Sequence, residues 1–264
     1  MSRALLSILA IALDSDDTGG MNAPTARARV RAELTQEILE AGKAQLADHG
    51  AAALSLRAVA RDVGMASSAV YRYFPSRDHL LTALIVDAYD GLGAAVEEAV
   101  APLRTRDLGH RWLTVGRTVR EWALANPHEY ALIYGSPVPG YQAPATTIGP
   151  ATRVALVLVQ ILIDAEAAGV LAPGPPARAP SRALREDLER LAETFTGIPE
   201  STIVRALAAW SALFGLVSFE LFGQFHNVVT ANTDFFAVAL GELGTFVGLP
   251  AGDAKRSKPT RRRG

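Results

Sequence analysis

Cysteine is absent from this chain of 264 residues. That removes disulfide scaffolds, thiolate metal sites, cysteine nucleophiles and thiol redox sensors, and it suits a reducing cytoplasm, the expected location. Net charge is also nearly absent: 26 basic side chains face 27 acidic ones, giving −1. A positive field over the whole body is excluded, so any contact with a polyanion has to come from a local cluster. No unbroken run of about 18 apolar residues occurs. The longest, 154–163, is interrupted by Gln160 and closed by Arg153 and Asp164. It reads as a buried helix, and no membrane partner is expected.

Catalytic patterns are missing too. The five histidines, His49, His79, His110, His128 and His226, are scattered and show no metal-ligand spacing. There is no G-x-S-x-G, no phosphate-binding P-loop and no dinucleotide fingerprint. Glu186, Asp187 and Glu189 alternate with Arg182, Arg185 and Arg190, a pattern of a self-paired, solvated helix face. The expectation is a protein that is not an enzyme, with no metal and no cofactor.

What is present is apolar material, 49% of residues, arranged with helical period and no strand pattern. Val30, Leu34, Ile38, Ala41, Gly42 and Leu46 share a helix face that ends before Gly50. Ser55 stands where it caps a second helix carrying Leu56, Val59, Ala60 and Val63, stopped by Gly64. A short third helix runs over 67–73. Pro75 breaks the chain, and Ser76 opens a longer helix that stops before Pro102. Further helices are predicted at 106–125, 127–134, 150–169, 181–194, 200–223 and 233–247. A Gly- and Pro-rich stretch fills 135–150, and a Pro-rich linker 173–180.

Four regions follow from this pattern. Residues 1–20 read as a disordered extension or a start-site artefact, with the working protein beginning near Met21. Arg3 and the apolar run 5–13 have the order of a secretory signal, but no small-residue cleavage site follows them. Residues 21–75 form a small helical domain, and 76–252 a larger helical one. Residues 253–264 form a basic disordered tail, in which Lys255, Arg256, Lys258, Arg261, Arg262 and Arg263 oppose only Asp253. Such a tail adds sequence-independent attraction to phosphate or merely solubility.

The stretch 55–81 carries the functional signal. Two short helices joined by a tight glycine turn are a helix-turn-helix pattern. Small Ala60 allows close helix approach, Gly64 supplies a positive φ, and Val70 points into the core with Phe74. The other face of the third helix offers Ser68, Ala69, Arg72 and Tyr73 to a major groove. Arg57, Arg77 and Tyr73 stand at its rim, placed for phosphates.

This run, SLRAVARDVGMASSAVYRYFPSRDHLL, closely resembles the N-terminal pattern of the TetR family of bacterial transcriptional regulators. The match extends over about 29–85. It implies an all-α homodimer with an N-terminal three-helix helix-turn-helix domain and a C-terminal helical ligand-binding and dimerisation domain. Carried over by position, Ser67, Ser68, Ala69 and Tyr71 fall where relatives meet bases, and Arg57 where some do. Tyr73 and Arg77 fall at phosphate-contact positions. Ala66 replaces a common capping Ser, and Ala69 a common Thr. The second half, with WALANPHEYALIYG at 122–135, PVPGY at 137–141 and WSALFG at 210–215, is similar to a Trp-His-Gly type of C-terminal domain, with Phe214 in the His place.

The 200–223 and 233–247 helices are apolar over most of their circumference. Trp210, Phe214, Val217, Leu221, Phe236, Leu240 and Leu243 are read as a four-helix seam between two subunits. Trp112, Trp122, His128, Tyr130, Tyr134 and Phe195 are candidate walls of a mostly apolar effector pocket, or else core packing. The resulting expectation is a repressor bound to a palindromic double-stranded operator and released by a small-molecule effector. The other class of reading is a helical small-molecule-binding or scaffold protein whose DNA-binding domain is vestigial.

Overall fold

Serine caps and a helix-starting proline set three of the helix starts. The computed structural model describes residues 26–175 and 179–251. The readings for 1–20 and 253–264 lie outside the described residues. Ten α-helices are present among the described residues, with no strand. They are α1 (Ala26–His49), α2 (Leu56–Asp62), α3 (Ser67–Val70), α4 (Arg77–Val100), α5 (Leu108–Ala125), α6 (Pro127–Tyr134), α7 (Ile148–Ala167), α8 (Arg182–Ala192), α9 (Glu200–Leu221) and α10 (Asn232–Val247). The chain is therefore all-α, as its periodicity implies. Pro127 at the first helical position starts α6, where its missing N–H costs nothing. Ser181 Oγ accepts from Leu184 N–H to cap α8, and Ser76 Oγ accepts from His79 N–H at 3.3 Å.

The chain divides into two compact units. One runs up to Ala95 and adds Arg120–Val154; the other holds Val96–Val119 and everything from Ala155. The expected linear boundary at 75–76 thus differs from the observed division, because residues far along the chain pack on the helix-turn-helix core. Leu132, Ile133, Val138 and Tyr141 lie against Ile38, Leu46, Leu56, Val59, Val70, Phe74, Leu80 and Leu84. Tyr141 Oη and Thr82 Oγ1 are 2.8 Å apart, fixing the 135–147 stretch to α4. Arg153 donates to the Asp90 carboxylate at 2.8 Å and to its backbone carbonyl at 3.0 Å. Val30, assigned to the buried face of α1, is 54% exposed; the buried side of that helix begins only at Ile38.

In the second unit the core is made by Leu108, Trp112, Val115, Leu158, Ile161, Leu162, Leu188, Ile203, Leu213, Val217, Phe236 and Leu240. Trp112 Nε1 donates to the Leu240 carbonyl at 2.9 Å, so the indole leaves no buried donor unpaired. Arg205 is buried by its own helix and by α10. It donates to the Phe246 carbonyl at 3.0 Å and to Thr202 Oγ1 at 2.8 Å. Its cation thereby meets the C-terminal carbonyls of α10, where positive charge is favoured. Burial pulls its pKa below the ordinary value. Arg111 pairs with Asp164, joining α5 to α7.

Three helical segments, Arg77–Val100, Ala145–Ala167 and Glu200–Leu221, are long and apolar enough by length and composition to cross a membrane. None is an unbroken apolar run, since polar residues interrupt each of them. All three bury apolar side chains in the core.

Gly116 marks a close approach of two helices in the second unit. A Cβ there would lie 2.5 Å from both Cδ atoms of Leu240, itself 1% exposed with no room to retreat. Gly116→Ala is expected to lower unfolding free energy by about 1–3 kcal/mol through overpacking. Thermal unfolding would read this as a reduced midpoint, and an unchanged midpoint would contradict the packing described.

Candidate nucleic-acid interface

A four-residue helix has no stability of its own, because nucleating a turn costs more than so few hydrogen bonds return. α3 is such a helix, so its position must be imposed. Val70 is fully buried and Phe74 nearly so, and burying two such side chains contributes about 3–6 kcal/mol. Past Val70 the chain tightens: Tyr73 and Phe74 N–H both donate to the Val70 carbonyl, at 2.9 and 3.0 Å. The turn before it is set by Gly64 at φ 67°. Met65 N–H donates to the Ala60 carbonyl at 2.8 Å and closes α2 in the manner of a Schellman turn.

Ser55 occupies the N-cap of α2, but its side chain makes no capping bond. Its backbone N–H instead donates to Gln45 Oε1 at 3.2 Å, while Gln45 Nε2 donates to Asp62 Oδ2 at 3.0 Å. Gln45 is 6% exposed. One side chain of α1 therefore ties both ends of α2. Lys43 bridges Glu40 and, at 2.7 Å, Asp87 of α4. Burial pulls the Lys43 pKa down, but hydrogen bonds to the two carboxylates outweigh it and leave it raised.

With its inner side fixed, the motif turns Arg57, Ser67, Ser68, Tyr71 and Arg72 to solvent, with Ala69 half-buried. The side chains of Arg57, Ser67, Ser68 and Arg72 make no hydrogen bond or ion pair among the described residues. They are uncommitted donors on a rigid support. Arg77 is placed differently. Its Nε donates to the Leu54 carbonyl at 3.2 Å, and Nη2 to the carbonyls of Ala51 and Ala52 at 2.7 and 3.2 Å. Nη1 faces Asp78 at 3.4 Å. Arg77 thus holds the turn ahead of α2 and is not a free rim cation. Tyr73 is half-buried, and the guanidinium carbon of Arg31 lies 5.0 Å from its ring centroid. Sequence spacing carries no signal for Gln45, since a polar residue on a helix gives no hint of burial. Arg31 does leave a trace in the sequence, as the last of the alternating series Arg27, Arg29, Arg31.

The candidate pocket residues divide between the two units, Trp122, His128, Tyr130 and Tyr134 in one and Trp112 and Phe195 in the other. Tyr130 and Tyr134 pack with ring centroids 5.1 Å apart, and Tyr134 meets Tyr89 edge-on at 6.0 Å. Burial, with Tyr89 and Tyr130 beside it, raises the Tyr134 pKa well above 10.0. Trp122 lies against Gly91 in the same unit. His128 is exposed at the edge of a shallow groove with Leu46, Ala51, Leu132 and Val138. Trp112 and Phe195 are buried in the other unit. Among the described residues no group of three His, Asp or Glu comes together as metal ligands.

The seam residues separate as well. Phe214, Val217, Phe236 and Leu240 are 7%, 1%, 3% and 1% exposed. They fill the core of their own chain, with Phe214 and Trp210 rings 5.7 Å apart. Trp210, Leu221 and Leu243 are half-buried. The apolar side chains turned outward are Val204, Leu207, Phe219 and Phe222 on and after α9, and Phe235, Val238 and Phe246 on α10. A helix apolar on all sides does not reveal from sequence which side meets its own chain.

Comparison with known proteins matches this geometry. Residues 38–84 match the bacterial regulatory proteins of the tetR family, and residues 112–243 match the tetracyclin repressor-like C-terminal domain. The HTH-type transcriptional regulator Rv1816 of Mycobacterium tuberculosis is 42% identical over 216 residues, spanning 75% of this chain and 85% of that protein. Among solved structures, the putative regulatory protein SCO4313 is 35% identical with a TM-score of 0.64, covering 83% of this chain and 98% of the other. A protein with unknown function from Rhodococcus sp. RHA1 is 25% identical with a TM-score of 0.56, covering 81% and 93%.

Gln45→Ala would remove the bonds that tie the Asp62 carboxylate and the Ser55 N–H to α1. It is expected to lower unfolding free energy by about 1–3 kcal/mol, read by chemical denaturation. An unchanged unfolding free energy would show that water replaces both bonds without cost.

Proposed function

The chain belongs to the TetR family of bacterial regulatory proteins, and on that premise we propose that it is a sequence-specific, DNA-binding transcriptional regulator acting as a homodimeric repressor in the cytoplasm. The observation that carries this reading is the uncommitted set of Arg57 on α2, Ser67 and Ser68 on α3 and Arg72 just after it, on a support locked from behind by Val70 and Phe74. Arg72 forks onto a guanine edge, the serines bond to neighbouring edges, and the Ala69 methyl meets a thymine methyl. Tyr71 and Tyr73 contribute base and phosphate contacts, and Arg57 a phosphate contact. Arg77 supports the site from behind, since its donors are occupied by backbone carbonyls.

The dimer seam of this reading uses the outward apolar residues of α9 and α10, with Trp210, Leu221 and Leu243 at its margin. Val238, 65% exposed, Phe219 at 52% and Phe246 at 44% would otherwise face water. Large apolar side chains left exposed along two neighbouring helices suit an interaction site. Two copies related by a two-fold axis put two recognition helices on successive major-groove half-sites, about 34–36 Å apart. A small-molecule effector favouring another separation shifts the population off the operator. The Trp-His-Gly resemblance of 210–215 then describes a packing element, as Phe214 contributes a buried ring and no histidine chemistry.

In vitro selection from random duplex DNA at fixed physiological salt is expected to recover one inverted repeat, with Arg72→Ala losing about 1–3 kcal/mol of discrimination at one position of each half-site. Recovery of only salt-sensitive background would favour a helical ligand-binding protein with a vestigial DNA-binding domain. Val238→Arg, which alters no core contact, is expected to yield folded monomers by sedimentation. A dimer that persists would move the seam elsewhere.

A further inference from the structure

α1 begins with three exposed arginines, Arg27, Arg29 and Arg31, and no acid in its first turn. Arg31 is stacked over the Tyr73 ring, 5.0 Å from its centroid. Tyr73 ends the recognition segment through its bond to the Val70 carbonyl and packs on the core beneath it. A guanidinium lying on an aromatic face is held by the ring's π density, and its N–H edges remain open in its own plane. No carboxylate takes those edges: Arg27 and Arg31 form no ion pair among the described residues. Arg27 lies four residues earlier and so shares the same side of the helix, whereas Arg29 faces away. The chain's overall charge is close to zero, which makes a local pair of unpaired cations beside the reading helix more consequential.

We propose that Arg31, stacked on Tyr73, and Arg27, one turn before it, hold backbone phosphate beside the recognition helix. α1 then sets the register of the protein on its operator without reading bases. Tyr73 orients Arg31, and Arg31 in turn covers the exposed side of the Tyr73 ring. The proposal rests on the DNA-binding reading above and adds to it two residues that lie outside the helix-turn-helix itself.

The test is the salt dependence of operator affinity, measured on the full chain with the selected duplex. A dimer presents each arginine twice, and each phosphate left without its cation takes roughly 0.9 off the slope of log affinity against log salt. Arg31→Ala and Arg27→Ala are therefore each expected to reduce that slope by about two. Affinity is expected to fall by the same factor on every operator variant, leaving base preference unchanged. Tyr73→Leu is expected to reduce the slope like Arg31→Ala, while Tyr73→Phe, which keeps the ring, leaves the Arg31 contribution in place. A selected site bound by the parent protein with the same slope after both arginine substitutions would overturn the proposal and leave the DNA-binding reading standing. A lowered unfolding midpoint for Arg31→Ala with an unchanged slope would also overturn it, reducing the stacking to structural support. Failure of the parent protein to bind any duplex specifically would remove both.

Discussion

The burial of Val70 and Phe74 is the constraint on which the reading surface depends. α3 is too short to persist by its own hydrogen bonds. It exists because Val70 on its inner side and Phe74 just beyond it enter a core built by α1, α2 and α4. Polar contacts then remove the remaining freedom. Gln45 fixes both ends of α2, Arg77 gathers the carbonyls of the turn ahead of it, and Lys43 joins α1 to α4. Each of these residues carries donors of the kind a ligand uses, and each is occupied internally. Donors on the outer side of α2 and α3 are left uncommitted, and that division between supporting and available groups gives the candidate interface its meaning.

Much of the secondary structure was legible in the sequence. The helix at Pro127–Tyr134 is bounded by a proline that starts it and a glycine that follows it, and the expectation and the structure agree there to the residue. Gly64, expected to take a positive φ, does so. Side-chain assignments fared less evenly, for a physical reason. Periodicity identifies an apolar face only where the opposite face is polar. On α9 and α10 nearly every side is apolar, so Phe214, Val217, Phe236 and Leu240 could not be told from Val204, Phe219, Val238 and Phe246. Arg77 stood at a rim position by spacing, and only the fold reveals that three carbonyls claim it. Gln45 offered no sequence signal at all. Val30 fell in phase with the buried stripe, but α1 extends beyond the elements it packs on.

The division of the chain shows why domain limits are hard to read from sequence. Arg120–Val154 follows the helix-turn-helix by several helices yet belongs to the same compact unit. Leu132, Val138 and Tyr141 carry that association, and all three come from a region read as short helix and turn. The outward apolar surface of α9 and α10 sits in the other unit. A regulator of this kind needs both: a rigid reader, and a surface that pairs it with a second reader at a set distance.

The central claim is that a two-fold seam holds two recognition helices at one separation. The direct measurement is affinity for a series of duplexes in which the spacer between selected half-sites is lengthened and shortened one base pair at a time. A fixed separation predicts one narrow optimum, at a half-site distance of about one helical turn or a whole multiple of it, with affinity falling sharply on either side. Affinity that is indifferent to spacing, or equal on a single half-site, would show that each subunit reads alone and would contradict the account.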